Sequence, residues 1–157
     1  VKEGNSILDV ACGTGVMVPF YLEKKVSSVT GIDISSKMCE IAETKFNSDK
    51  VKIICDDVLT HDFEKCFDRI IVYNALPHFD DPDLLIHRLS GLLKKDGILS
   101  IAHGMSREKI LEHHANVSDI SKILPEIEEL KRMMEKELDV TLTVSDERMY
   151  QAVGIRR

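Results

Sequence analysis

The stretch ILDVACGTGV, Ile7 to Val16, decides the fold. Its first part, Ile7 to Val10, is an apolar run of strand length. It nevertheless carries a carboxylate, Asp9, and runs at once into Cys12-Gly13-Thr14-Gly15. Glycines in such a turn permit backbone angles closed to other residues and let a ligand approach the main chain. The following VMVPFYLEKK reads as a helix, with Pro19 tolerated near its first turn and Lys24 and Lys25 near its end, where cations suit the dipole. A strand, a glycine turn and a helix N-terminus together offer N–H donors to an anionic group, a carboxylate as readily as a phosphate.

Outward from this stretch, short apolar runs alternate with segments of helical period, the pattern of βαβ units and a largely parallel sheet. SSVTGIDIS supplies a second strand ending at Asp33 and Ile34, and Ser35 or Ser36 caps the next helix. In that helix Met38, Ile41, Ala42 and Phe46 form a stripe expected to pack on the sheet. VKIIC (Val51–Cys55) and DRIIVY (Asp68–Tyr73) are strands three and four, both too apolar to be exposed on one face. DDPDLLIHRLSGLLKKDG reads as a helix with Asp81 as N-cap, Pro82 at its first position, an apolar stripe of Leu85, Leu89, Leu92 and Leu93, and Gly97 beyond its end. ILSIAH is a fifth strand ending at His103. Ser106 to Leu138 is strongly helical with a break at Pro125, and its apolar stripes run through Ile110 and Leu111, then Ile120, Ile123 and Leu124, then Ile127, Leu130 and Met134. DVTLTVS and MYQAVGI are period-2 segments joined by a short turn around Asp146 and Glu147. A parallel pair needs a crossover of roughly a dozen residues, so these two strands, if paired, are antiparallel.

The 157 residues suit a single domain, 1–157, with a core of useful size, and no linker or repeat interrupts them. Because Val1 stands almost against the first strand, an N-terminal segment is expected to be missing. Hydrophobic residues at 43% and charged ones at 31% are ordinary for a soluble globular chain. A net charge of −6 argues against generic nucleic-acid binding, which needs a basic face. Cys12, Cys39, Cys55 and Cys66 show no C-x-x-C pairing, so no metal site is expected, and reduced thiols in the cytoplasm are the simplest reading. No apolar run reaches the ~18 residues of a membrane span.

In an open parallel sheet, ligands sit beyond the carboxyl ends of the strands. Two cofactor classes use a glycine turn at that place. The dinucleotide fingerprint G-x-G-x-x-G fails here, because Val18 stands where the third glycine belongs, and Asp9 would set a negative charge near a pyrophosphate. An acid before the glycines suits a ligand with a cationic group.

D-x-x-x-G-x-G after a strand resembles motif I of the class I S-adenosylmethionine-dependent methyltransferases, and the similarity runs in register from about Asn5 to Ile155. The family form has glycine where this chain has Ala11. The resemblance implies a Rossmann-like three-layer α/β sandwich, its mostly parallel seven-stranded sheet closed by an antiparallel C-terminal hairpin. It also implies S-adenosylmethionine as cofactor and S-adenosylhomocysteine as product. On this resemblance Asp9, Ala11, Cys12, Gly13 and Gly15 follow the methionine end and the ribose, with Asp9 near the ammonium. Asp33 takes both ribose hydroxyls, a task for two acceptor oxygens. Ile34 and Met38 line the adenine face. After strand three, Asp56 or Asp57 accepts from the adenine amino group, Asp56 matching the motif position better, and the next backbone N–H, towards Val58, meets a ring nitrogen. Asn74 closes the list at the end of strand four. There Asn74-Ala75-Leu76-Pro77 lacks the paired prolines of the family's nucleic-acid amino-methyltransferases.

His78, beyond strand four, and His103, ending strand five, are the candidate catalytic residues, since a neutral-range base there could take a proton from an acceptor. Methyl transfer needs mainly alignment, however, so the list of acids and bases can be short. His113 and His114 are adjacent on a helix and point about 100° apart, a poor arrangement for one metal ion. Arg107 and Lys109 could hold an anionic substrate, though a solvated charge cluster explains them as well. The resulting expectation is a methyltransferase acting on a small molecule, without membrane partners. Its rivals are a cofactor-binding module without turnover, a nucleic-acid or protein methyltransferase, and a nucleotide-dependent oxidoreductase. Acceptor pockets in the family come from the segment before strand one and from insertions, which leaves the helical stretch from Ser106 to Leu138 as the candidate cover.

Overall fold

The computed structural model describes residues 1–115 and 124–157, with side chains for all of these except 113–115. Ile120, Ile123 and the side chains of His113 and His114 lie outside the described residues. The strands are β1 (Ser6–Val10), β2 (Ser28–Asp33), β3 (Val51–Cys55), β4 (Phe67–Tyr73), β5 (Leu93–His103), β6 (Leu138–Ser145) and β7 (Tyr150–Arg156). The helices are α1 (Val18–Glu23), α2 (Ser36–Lys45), α3 (Pro82–Gly91), α4 (Arg107–Ala115) and α5 (Ile127–Glu135), with one 3₁₀ turn at Leu76–His78. The seven strands lie in the order β3-β2-β1-β4-β5-β7-β6. All pairs are parallel except β5 with β7 and β7 with β6. The chain winds outward from β1 to β3 and returns to place β4 on the other side of β1. The order therefore reverses between β1 and β4, where a crevice opens.

Every residue of β1 is buried. Its alternation is strict: Leu8 and Val10 join the larger core with α3 and α5, while Ile7 packs with Val18 and Tyr21 of α1. Asp9 shares the Ile7 face. Full burial of a Leu, Ile or Val is worth about 1.5–3 kcal/mol, and three such side chains hold one carboxylate out of water in the same strand.

Three sequence expectations need correction. Leu92 and Leu93 do not extend α3: the Phe67 N–H takes the Leu92 carbonyl at 2.8 Å and Leu93 pairs with Phe67, which starts β5 five residues before Ile98. Gly97 is accordingly no helix cap; a Cβ there would stand 2.7 Å from the Lys94 carbonyl oxygen. On α2 the sheet-facing residues are Cys39 and Ala42, whereas Met38 and Ile41 are exposed. The Ser35 hydroxyl caps the helix at Met38 N, and the Cys39 thiol donates to the Asp33 carbonyl at 3.4 Å, which turns that face inward. Finally, β3 is an edge strand with Lys52 and Cys55 exposed, so its apolar composition overstated its burial.

The other boundaries follow local chemistry. Asp81 caps α3 by accepting from Leu84 N at 3.0 Å, with Pro82 at the helix start. Pro125 lies between α4 and α5, and Asp146 Oδ1 accepts from Arg148 N and Met149 N to close the β6–β7 turn. No helix among the described residues is long and apolar enough to cross a membrane.

Candidate active site

The turn after β1 is built from left-handed residues. Ala11, Gly13 and Gly15 have φ of 53°, 55° and 76°. Ala11 thus adopts the angle that a glycine would take without strain, at a cost of about 1 kcal/mol or more. Gly15 has a second reason to be glycine, since a Cβ would stand 2.4 Å from the Phe46 ring. The Cys12 N–H donates to the Ile32 carbonyl, and the Asp33 carboxylate spans the gap between β2 and the turn. Its Oδ2 accepts from Gly13 N at 2.8 Å and its Oδ1 from Ser35 N at 2.9 Å.

Two cavities flank this turn and share Ala11. The smaller, about 190 Å³, is lined by Asp9, Cys12, Gly13 and Asn74 together with Met17 and Tyr73. The larger, about 410 Å³, is lined by Asp33, Ile34, Asp56, Asp57, Val58 and His78, among others. Of the sequence-derived site residues, Gly15 acts through the turn's backbone, Met38 lies exposed on α2 and lines neither cavity, and His103 lines neither as well. His103 is 4% exposed and packs edge-on against Tyr150, ring centroids 6.0 Å apart.

Asp9 dominates the electrostatics of the smaller cavity. It is 2% exposed, and burial pushes its carboxyl up to about 7. The Tyr21 hydroxyl beside it moderates that rise and the Asp33 charge adds to it. Among the described residues Asp9 Oδ2 makes no hydrogen bond of normal geometry, and Asp9 lines the smaller cavity. A carboxylate buried this deeply is costly, and a cationic ligand group would relieve it.

The two aspartates after β3 separate by geometry. Asp56 is exposed and both its oxygens are engaged, Oδ1 by Asp57 N and Oδ2 by His61 Nδ1, each at 2.8 Å. The His61 bond holds its carboxyl below the usual carboxylate range. Asp57 is half-buried, and its Oδ1 accepts from Leu59 N at 2.9 Å. Asn74, with φ of 54°, ties the ends of β4 and β5: its N–H donates to Ala102 and its Oδ1 accepts from Gly104 N. Arg107 is committed to the chain before α5, donating to the Leu124 and Pro125 carbonyls and pairing with Glu126 at 2.8 Å.

Sequence reasoning passed over Tyr21, Tyr73 and Arg88. Their periodicity marks them as helix or strand residues, and nothing local announces which cavity or loop they meet. The thiols also sort by position. Burial pushes both Cys12 and Cys39 up to about 12, while Cys55 and Cys66 are exposed. Titration of the native chain with a disulfide reagent at pH 8 is expected to give two fast thiols and all four only on unfolding; four equally fast thiols would contradict this burial.

The chain matches the methyltransferase-domain family over residues 8–101 and belongs to it. It is 33% identical over 107 residues to an (S)-coclaurine N-methyltransferase of Papaver somniferum, covering 66% of this chain and 30% of that protein. The chain spans about a third of the length of the curated relatives it matches. Among solved structures it resembles a chain of the Haloferax volcanii complex with the Trm112 methyltransferase activator. The TM-score is 0.86 at 17% identity, covering 99% of this chain and 84% of that one. It also resembles the N-methyltransferase NodS of Bradyrhizobium japonicum WM9 in complex with S-adenosylhomocysteine, with TM-score 0.75, 15% identity, and 98% and 79% covered. The seven-stranded α/β fold with its reversed C-terminal hairpin is therefore that of the class I methyltransferases.

Proposed function

We propose that this chain is an S-adenosylmethionine-dependent methyltransferase domain that methylates a small-molecule acceptor. The observation that carries the reading is the pair of cavities meeting at Ala11, one lined by the buried Asp9 and the other by Asp33. That spacing of charge suits a ligand with an amino-acid end and a nucleoside end. Bound S-adenosylmethionine supplies an activated methyl group on a sulfonium, ready for in-line displacement by a nucleophile.

The chain's own residues hold and orient. Asp9 neutralises the ammonium, and Asp33 keeps a lone pair on each oxygen for the ribose hydroxyls beside its bonds to Gly13 and Ser35. Asp57, rather than Asp56, accepts from the adenine amino group: it is half-buried on the larger cavity with its Oδ2 outside every hydrogen bond described, whereas Asp56 is exposed and its Oδ2 is tied to the His61 ring. Val58 N–H meets the ring, Ile34 covers the adenine face, and Asn74 fixes the floor near the methionine end. His78, exposed and lining the larger cavity, is the candidate base for an acceptor's proton, and His103, buried against Tyr150, is a packing residue. The net charge of −6 favours a small molecule over nucleic acid. Four free thiols favour a reducing cytoplasmic setting. The (S)-coclaurine N-methyltransferases among the relatives make amines the first acceptor class to test.

Calorimetry with S-adenosylhomocysteine and with NAD, followed by a product assay over a panel of amines, alcohols and thiols, tests the proposal. The expected result is binding of S-adenosylhomocysteine alone and its formation from S-adenosylmethionine with at least one acceptor. Binding without turnover on any acceptor would favour a cofactor-binding module, and binding of NAD alone would overturn the reading.

A further inference from the structure

We infer that Arg88, on α3, is a positioning residue for adenine recognition, acting through the turn that carries Asp57 and Val58. The inference rests on the cofactor reading of the larger cavity. Between β3 and β4 the chain crosses residues 56–66 with no regular helix. Its first turn is closed by the Thr60 and His61 N–H groups on the Asp57 carbonyl, at 3.1 and 2.8 Å, and a second anchor comes from Arg88. Its Nε donates to the Val58 carbonyl at 3.3 Å and its Nη2 to the His61 carbonyl, so one planar guanidinium spans two carbonyls three residues apart. The Phe63 ring supports the cation, its centroid 5.9 Å from the guanidinium carbon, and Phe63 in turn packs edge-on against His61 and Phe67.

The consequence reaches Asp57 through a single peptide unit. The carbonyl of the Val58–Leu59 peptide is held by Arg88, and its N–H is held by Asp57 Oδ1 at 2.9 Å. Fixing that peptide plane fixes the direction of the Asp57 carboxylate, and with it the oxygen left for the adenine amino group. His61 closes the same turn from its other end, its backbone carbonyl on Arg88 and its ring on Asp56. A guanidinium is always charged and has enough donors for both carbonyls, whereas a lysine ammonium is a point charge that cannot match the fork.

The test compares S-adenosylhomocysteine with S-inosylhomocysteine, which carries an oxo group in place of the adenine amino group, by calorimetry on the wild-type chain, Arg88→Met and Arg88→Lys. Thermal unfolding confirms that each variant is folded. The wild type is expected to prefer the adenine ligand. Arg88→Met is expected to lose about tenfold in affinity for the adenine ligand and little for the inosine one, so that the preference collapses. Arg88→Lys, able to reach one carbonyl, should fall between them and supplies the measurement if the methionine variant does not fold. An unchanged preference in both variants, or an equal loss for both ligands, would overturn the inference. A wild-type chain that binds neither ligand would instead overturn the cofactor reading on which it stands.

Discussion

Asp33→Ala is expected to lower the affinity for S-adenosylhomocysteine by more than a hundredfold while the chain stays folded. The carboxylate would offer one acceptor to each ribose hydroxyl, and a hydrogen bond to a charged acceptor is worth about 1.5–3 kcal/mol. Two of them account for a factor of a hundred or more. The same oxygens also receive Gly13 N and Ser35 N, so alanine releases the glycine turn from the end of β2 as well. A drop in stability of about 1–3 kcal/mol should accompany the change, readable by thermal denaturation. Asp33→Asn separates the two roles. Its amide keeps one acceptor, so part of the turn's anchoring survives, but its NH₂ faces a donor and the ribose loses an acceptor. Calorimetry on both variants decides the matter: if Asp33→Ala binds as tightly as the wild type, the ribose does not lie at Asp33.

The second large effect is a proton coupled to the cofactor's ammonium. In the unliganded fold the Asp9 carboxyl is raised from 3.8 to about 7 by burial. Between those values the folded chain holds a proton that the unfolded chain has released. The Asp9 contribution to stability is therefore complete below about pH 3.8, declines as the pH rises, and is lost above about 7. An ammonium placed beside Asp9 reverses the preference, since a neighbouring positive charge favours the carboxylate. Binding below pH 7 then expels a proton, and affinity should rise by up to about tenfold per pH unit towards neutrality before levelling off. Calorimetry in two buffers of different ionisation heat measures the released proton directly. Asp9→Asn should remove the proton release, flatten the affinity profile, and cost about ten- to a hundredfold in affinity at pH 8. Proton release that persists in Asp9→Asn would place the ammonium elsewhere.

Both effects arise at residues visible in the chain itself, and the reason is physical. Asp9 and Asp33 each sit at a fixed offset from a strand end, and in a parallel sheet the strand ends are where ligands gather. The Asp81 cap and the antiparallel terminal pair were legible for the same reason, because each depends on residues a few positions apart. The stripe on α2 was misread because the helix start, set by Ser35 and Cys39, rotates Met38 and Ile41 outward. The length of β5 was misread because Leu92 and Leu93 answer to Phe67, twenty-five residues earlier, rather than to the helix period before them. His103 ends its strand as expected, but its burial depends on Tyr150, paired opposite it in β7.

By itself, then, the sequence determined the alternation of strands and helices, the glycine turn, and the acids near the ends of β1 and β2, since these follow from short-range period and from backbone angles open mainly to glycine. Only the tertiary structure decided that Asp57 is half-buried while Asp56 is exposed and tied to His61, how far burial raises Asp9, and that Arg88 holds the turn after β3. Those properties depend on desolvation and on partners distant along the chain, whose positions no local pattern encodes.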